Sequence, residues 1–159
     1  MTSPGQSNER IPRVVVIGVG NLLMKDEGIG IHVIQYLQGL DLPADVKLVD
    51  GGTSPDIIAY TRTNEKLIIV DAAKAGGEPG AVYRFLPEDL DDDMGDLASA
   101  HEMGVAPNLK LMEMSGSLPK ETVIIGVEPK EVALGLELTD ELAARVPAIA
   151  DVVIKEINR

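Results

Sequence analysis

The chain has 159 residues, of which 45% are hydrophobic, and this is enough for one domain with a buried core. Its 14 basic and 26 acidic residues give a formal charge of −12. This charge argues against nucleic acid and anionic membranes as partners, because both require a basic surface. The sequence contains no cysteine, which excludes thiol catalysis, disulfides and thiolate metal sites.

The N-terminal residues 1–10 are polar and are predicted to form a disordered tail, followed by a single domain over residues 11–159. This tail lacks the apolar core of a signal peptide. No apolar run approaches the roughly 20 residues that a transmembrane helix requires. We therefore expect a cytoplasmic protein without a membrane partner.

The strongest pattern near the N-terminus begins with an apolar, β-branched run over residues 14–18, which predicts a buried strand. Two glycines and the carboxylate pair Asp26 and Glu27 follow, and then a helical pattern runs from Ile29 to Gly39. Its predicted buried stripe consists of Ile29, Val33, Tyr36, Leu37 and Leu40. His32 falls on the polar face and is predicted to be exposed.

Strands are also predicted at residues 46–50, 66–71, 81–86 and 122–127, with 81–86 a candidate antiparallel edge strand. Helices are predicted at residues 56–63, after His101 with Pro107 in the first turn, and from Thr139 with a kink at Pro147. This alternation predicts an α/β fold, a three-layer α/β/α sandwich with a mostly parallel, roughly five-stranded twisted sheet. In such sheets ligands bind beyond the carboxyl ends of the strands.

Three candidate ligands occupy comparable places in this pattern. Glu27 follows the first strand, Asp71 ends the third, and His101 precedes the next helix. Two carboxylates and an imidazole can form an open site for a divalent transition metal. A simpler interpretation is also open, since an acid at a helix start stabilises the helix dipole by about 0.3–1 kcal/mol. Aspartates also end strands as ordinary turn residues.

Three other polar features have ordinary structural interpretations. The strand-end carboxylate Asp50 is an intermediate candidate, because it adjoins a Gly-Gly pair. Six carboxylates between Glu88 and Asp96 predict a solvated loop. Gly18-Val-Gly20 resembles a dinucleotide fingerprint, but Leu23 replaces the third glycine. The acids at the helix start would also repel a pyrophosphate.

The run Gly18-Val-Gly-Asn-Leu-Leu-Met-Lys-Asp-Glu-Gly-Ile-Gly30 resembles the N-terminal signature of the hydrogenase maturation endopeptidases. The resemblance continues in family order through five further blocks, which are Asp50-Gly-Gly-Thr-Ser-Pro55, Leu67-Ile-Ile-Val-Asp-Ala72, Pro79-Gly80, Ser99-Ala-His101 and Ile125-Gly-Val-Glu-Pro129. It therefore covers nearly the whole chain. It implies a phosphorylase/hydrolase-like α/β/α fold and a protease domain over residues 11–159.

The resemblance also implies a function and a site. Members of the family remove a C-terminal extension from the large subunit of a nickel–iron hydrogenase after nickel insertion. Their metal-contacting residues would correspond to Glu27, Asp71 and His101, which would be the catalytic and metal-binding residues here. The implied metal is nickel carried by the large-subunit precursor, without an organic cofactor, and the family is classified as aspartic-type.

The mechanism follows partly from which residues are missing. The sequence has no cysteine, no nucleophile elbow and no H-E-x-x-H helix, so water is the expected nucleophile. A carboxylate could act as general base, or a bound metal could lower the pKa of the water, and both routes stay open. A non-catalytic metalloprotein-binding module is the alternative function. A nucleotide-binding α/β enzyme is a third, against which the acids argue.

Overall fold

The computed structural model of the chain describes residues 10–53, 56–61, 63–90 and 105–159. It contains one five-stranded sheet in the order β2-β1-β3-β5-β4. The strands are β1 (Val14–Val19), β2 (Val46–Gly52), β3 (Lys66–Ala72), β4 (Val82–Phe85) and β5 (Glu121–Val127). The predicted tail lies, apart from Arg10, outside the described residues.

The sheet is parallel except at one edge. β1 pairs in parallel with β2 and β3, and β3 pairs in parallel with β5, while β4 is antiparallel to β5. The prediction of a mostly parallel sheet with an antiparallel edge strand is therefore confirmed. The inner strands β1 and β3 are buried along their whole length. This explains why their sequences are nearly continuous apolar runs.

Among the described residues, three helices lie between strands, a fourth follows the last strand, and there are two short 3₁₀ turns. The helices are α1 (Ile29–Gln38), α2 (Ile57–Tyr60), α3 (Val105–Ser115) and α4 (Asp140–Ile157), and the turns are Lys25–Gly28 and Pro87–Leu90. Pro107 is the third helical residue of α3 in the described part of the chain, as predicted for a first-turn proline. Thr139 precedes α4 as predicted, although its side chain makes no capping hydrogen bond.

The helices cover both faces of the sheet and form two apolar clusters. α1 and α4 pack with one set of strand residues, which includes Val16, Val70 and Ile125. α2 and α3 pack with the alternate set, which includes Ile17, Ile69 and Ile124. The alternation follows from the period of two in a strand, and the three-layer arrangement is confirmed.

α1 lies unusually close to the sheet because glycines face each other at the contact. A Cβ at Gly18 would lie only 2.5 Å from Ile34 Cγ1, and one at Gly30 would lie 2.5 Å from the carbonyl oxygen of Val19. Gly18 in β1 and Gly30 in α1 therefore allow the start of α1 to lie against the ends of β1 and β3. They serve helix–sheet packing, which also places the residues just before α1 beside the carboxyl edge.

Three burial predictions for α1 were wrong. Tyr36 and Leu40 are each 40% exposed. Leu40 lies beyond the helix, whose buried residues are Ile29, Gly30, Ile31, Val33, Ile34 and Leu37. His32 was predicted to be exposed but is partly buried. α1 packs against α4 as well as against the strands, so its buried face is set by two neighbours and not by the sheet alone.

The predicted helix at residues 56–63 is shorter than expected, because α2 covers only one turn. The final helix matches its prediction closely, and all six residues of its predicted stripe are buried, namely Leu142, Val146, Ile149, Ala150, Val153 and Ile157. Pro147 lies inside this helix. Within the part of the chain that the structure describes, no helix is long and apolar enough to span a membrane.

Candidate active site

Glu27 lies in the 3₁₀ turn between β1 and α1, at the carboxyl edge of the sheet. It is 8% exposed although it is a carboxylate. Its backbone N–H donates to the carbonyl oxygen of Met24 at 3.1 Å, and its own carbonyl oxygen accepts from Asn21 N–H at 3.3 Å. The loop after β1 therefore folds back on itself and holds Glu27 against the sheet edge.

Asp71 is the second carboxylate at this edge, near the end of β3, and it is 2% exposed. Its Oδ1 accepts the backbone N–H of Ala72 at 2.8 Å, whereas its buried Oδ2 has no hydrogen-bond partner among the described residues. Burial raises the pKa of Asp71 well above its usual value, and the negative charge of Glu27 raises it further, against the lowering effect of the Ala72 N–H. The two predicted carboxylates are therefore neighbours.

His101, the third predicted ligand, lies outside the described residues. The helix that it was expected to precede is present as α3 from Val105. Among the described ranges, no group of three His, Asp or Glu side chains is close enough to hold a metal ion. The structure thus brings Glu27 and Asp71 together, and the role of all three residues stays a prediction.

Asp26, the neighbour of Glu27, binds backbone N–H groups of another segment of the chain. It is fully buried, and its carboxylate accepts backbone N–H bonds from Lys130, Glu131 and Thr139 at 2.8–3.0 Å. The Thr139 hydroxyl donates to the same carboxylate at 2.9 Å. Asp26 therefore joins the turn after β1 to the segment between β5 and α4.

The segment 128–139 is bound to the turn after β1 by its backbone as well. Gly135 accepts from Lys25 N–H at 2.9 Å and donates to the carbonyl oxygen of Leu23 at 2.9 Å. The Asp26 N–H donates to the carbonyl oxygen of Glu131 at 3.3 Å. Lys25 Nζ also lies 3.0 Å from Glu131 Oε1. These contacts fix the segment 128–139 against the turn that carries Glu27.

Glu128, the first residue of this segment, is a further buried carboxylate to which the sequence interpretation assigned no role. It follows β5 directly and is 6% exposed. Its Oε1 accepts from Ala75 N–H at 3.0 Å, Gly77 N–H at 2.7 Å and the Tyr83 hydroxyl at 2.9 Å. Burial raises the pKa of Tyr83, and its bond to Glu128 raises it further. The Glu128-Pro129 pair at a strand end was the available signal for a positioned carboxylate.

His32 has one ring nitrogen in an unexpected environment. Its Nε2 is buried and has no hydrogen-bond partner among the described residues. Burial lowers the pKa of His32, and the charge of Asp26 partly opposes this effect. A neutral imidazole is therefore favoured. Nothing in the described contacts joins His32 to Asp71.

The remaining acidic candidates have local roles. Asp50 Oδ1 accepts the N–H of Gly52 at 3.0 Å, which closes a turn at the end of β2. Asp89 Oδ2 accepts the N–H of Leu86 at 2.8 Å, at the start of the second 3₁₀ turn. The rest of the predicted acidic loop, residues 91–96, lies outside the described residues.

The chemistry of the two neighbouring carboxylates follows from their burial. Two negative charges in a poorly solvated place repel each other, so one holds a proton near neutral pH or a cation compensates them. Among the described residues, the buried Oδ2 of Asp71 lacks the hydrogen-bond partner that buried polar atoms normally have. Together these residues fit a cation that prefers oxygen ligands, or a general base with a raised pKa.

The fold and these carboxylates define an α/β protein whose site lies at the carboxyl edge of its sheet, and comparison with known proteins narrows this class. A family model described as hydrogenase maturation protease matches residues 31–156. The hydrogenase 2 maturation protease of Escherichia coli K12 is 31% identical over 145 residues, which cover 89% of this chain and 88% of that protein.

Solved structures agree with this comparison. The hydrogenase maturating endopeptidase HybD from E. coli superposes with a TM-score of 0.79 at 27% identity, over 92% of each chain. The [NiFe] hydrogenase maturation protease HybD from Thermococcus kodakarensis superposes with a TM-score of 0.74 at 32% identity, over 90% of this chain and 97% of that one. The chain belongs to the hydrogenase maturation protease family, as its motifs predicted.

Proposed function

We propose that this protein hydrolyses one peptide bond near the C-terminus of a nickel–iron hydrogenase large-subunit precursor, after nickel has been inserted. Membership of the maturation protease family supports the reaction class. The observation that carries the site assignment is the buried pair of Glu27 and Asp71 at the carboxyl edge. Two acids in one poorly solvated place repel each other, and a cation that arrives with the substrate would relieve this repulsion.

The proposed contact to nickel uses Glu27, Asp71 and His101. The Oδ2 of Asp71 supports this assignment, because it is a buried oxygen atom with no hydrogen-bond partner in the described part of the chain and with capacity for one more interaction. In this proposal the metal belongs to the substrate, and the large subunit retains the remaining ligands. The contact would exist only when nickel is present, so the protease could distinguish loaded from empty precursor by differential binding.

The nucleophile in this proposal is water, since the chain offers no cysteine. An aspartic-type mechanism would use a carboxylate as general base, and the raised pKa of Asp71 supports that role because a base works best near the operating pH. Polarisation by the substrate's nickel is the alternative route.

We also propose a cytoplasmic location, which immunodetection in fractions of the source cells would test.

The test compares two preparations of the precursor from the source organism, one without nickel and one with nickel inserted. Each is incubated with the protein, and the products are weighed by mass spectrometry. We expect loss of the C-terminal extension only from the nickel-loaded form. Equal cleavage of both forms would contradict nickel-gated recognition, and cleavage of neither would favour a binding module without catalysis.

A matched variant separates hydrolysis by this protein from contaminating proteases. Asp71→Asn keeps the size of the side chain and an oxygen atom for the Ala72 N–H, but it removes the charge. We expect no cleavage by this variant under conditions in which the parent completes the reaction. Cleavage at the parental rate would refute the role of Asp71.

A further inference from the structure

Three exposed leucines lie on the two segments that meet beside Glu27. Leu134 is 82% exposed, Leu136 is 70% exposed and Leu23 is 58% exposed. Gly135, which separates the first two, donates its N–H to the carbonyl oxygen of Leu23 at 2.9 Å. The three side chains therefore project from neighbouring backbone positions. We call them the leucine surface.

The backbone beneath the leucine surface is held unusually well for an exposed loop. The buried Asp26 carboxylate accepts N–H bonds from Lys130, Glu131 and Thr139, on both sides of Leu134 and Leu136. Lys25 N–H donates to Gly135 at 2.9 Å. Apolar side chains on a fixed backbone lose little conformational entropy on binding, which is the general advantage of a preorganised contact.

The leucine surface is continuous with the candidate active site. Leu23 and Glu27 belong to the same folded-back loop, because Met24 accepts the N–H of Glu27 at 3.1 Å. A chain whose scissile bond is positioned at Glu27 and Asp71 would therefore pass beside these leucines. Scattered apolar side chains are normal on a surface, but a cluster beside a site marks a place of interaction.

The charges around the leucine surface indicate the chemistry of its partner. The segment 130–141 carries four exposed acids, Glu131, Glu137, Asp140 and Glu141, beside two bases, Lys130 and, in the adjacent turn, Lys25. The other two acids of that turn are buried. The two lysines form ion pairs with Glu131 and Glu141. The net charge of this rim is therefore negative, which complements a partner with basic side chains around an apolar segment.

We propose that the leucine surface docks an apolar, basically flanked segment of the hydrogenase large-subunit precursor beside the scissile bond. This inference rests on the proposed function for the identity of the partner. Leu134 and Leu136 then supply part of the affinity for the precursor, independently of the carboxylates of the candidate active site. Binding through these leucines should change KM and leave the chemical step unchanged.

The test is the double variant Leu134→Ser/Leu136→Ser, assayed on the nickel-loaded precursor from the source organism. Its matched control is Leu111→Ser/Met114→Ser, which changes two side chains of α3 that are 62% and 79% exposed. We expect the first variant to raise KM about tenfold with kcat within twofold of the parent. The control should match the parent in both constants, and both variants should melt like the parent.

The outcomes separate this inference from the proposed function. A KM within twofold of the parent for the Leu134/Leu136 variant, or an equal rise in the control, would overturn the docking role. If the parent binds the precursor without cutting it, the proposed hydrolysis fails, and the same variants are compared by Kd in a titration with the precursor. If the parent does not bind the precursor at all, the docking inference is refuted.

Discussion

The carboxylate of Asp26 accepts the backbone N–H of Thr139 at 2.8 Å, across a separation of 113 residues. The hydroxyl of Thr139 donates to the same carboxylate, which explains why this side chain does not cap α4 although it occupies the N-cap position. One buried acid thus joins the turn that carries Glu27 to the start of the last helix.

We expect Asp26→Ala to lower the free energy of unfolding by about 3 kcal/mol, because the backbone N–H groups of three part-buried hydrogen bonds would lose a charged acceptor that is itself fully buried. In chemical denaturation the midpoint should fall with an unchanged m-value. Asp140→Ala is the control, since it removes an exposed acid from the first turn of α4 and should cost less than about 1 kcal/mol. Equal losses in the two variants would contradict the anchoring role of Asp26.

We expect Glu27→Ala, Asp71→Ala and His101→Ala each to abolish processing of the nickel-loaded precursor while remaining folded. The physical reason is that each removes one of the proposed contacts to the metal carried by the substrate. Thermal melts establish folding, and mass spectrometry of the precursor measures processing. Full activity in any two of these variants would refute the site assignment.

His32→Ala should retain processing, even though His32 is less exposed than its sequence pattern predicted. Its buried Nε2 has no partner among the described residues, so truncation removes no hydrogen bond that the structure shows there. Initial cleavage rates measure the effect. A rate reduced about tenfold, which corresponds to roughly 1.4 kcal/mol of activation free energy, would show that His32 contributes to the reaction.

Asp71→Asn should stabilise the free protein at neutral pH. Because the folded-state pKa of Asp71 is raised, ionising it in the fold costs free energy, and the parent loses stability as pH rises from about 4 through that pKa. The Tm of the variant should therefore exceed that of the parent at pH 7.5 by more than at pH 4.5, with chelator present. The exposed Asp50→Asn is the control, and a gap that does not widen with pH would contradict this prediction.

Glu156→Gln should destabilise the fold above about pH 4.5. Burial would raise the pKa of Glu156, but its bonds from Arg84 and Lys66 outweigh burial and lower it. A carboxylate with a lowered pKa stabilises the fold above its unfolded-state pKa, and this contribution is lost as pH falls through the folded-state value. The Nζ of Lys66, a 3% exposed residue, lies 3.1 Å from Glu156 Oε1.

At pH 7 we expect a loss of about 3 kcal/mol in Glu156→Gln, since the buried Lys66 would lose the nearer and more buried of its two acidic partners and keep only the exposed Glu121 at 3.7 Å. Urea titration measures this loss. Asp45→Asn breaks the exposed pair with Arg13 and should cost less than about 1 kcal/mol. The difference between Glu156→Gln and the parent should shrink below pH 4, and a difference that stays constant there would contradict the assignment.

The sequence by itself determined the layers of this fold and the family to which it belongs. β1 and β3 are continuous β-branched runs because both faces of a central parallel strand are covered, and this signal is local. The helical period placed the buried stripe of α4 correctly, because α4 is amphipathic. The helical period did not predict that Tyr36 is exposed or that His32 is partly buried, since both depend on the elements that pack against α1.

The tertiary structure alone decided which groups surround each of the two adjacent acids. Asp26 and Glu27 are indistinguishable as a pattern, yet Asp26 binds backbone N–H groups of residues 130, 131 and 139, while Glu27 lies beside Asp71. Every residue except proline carries a backbone N–H, so the partners of Asp26 have no signature in the sequence. The charge interaction between Glu27 and Asp71 exists only because the sheet sets β1 beside β3.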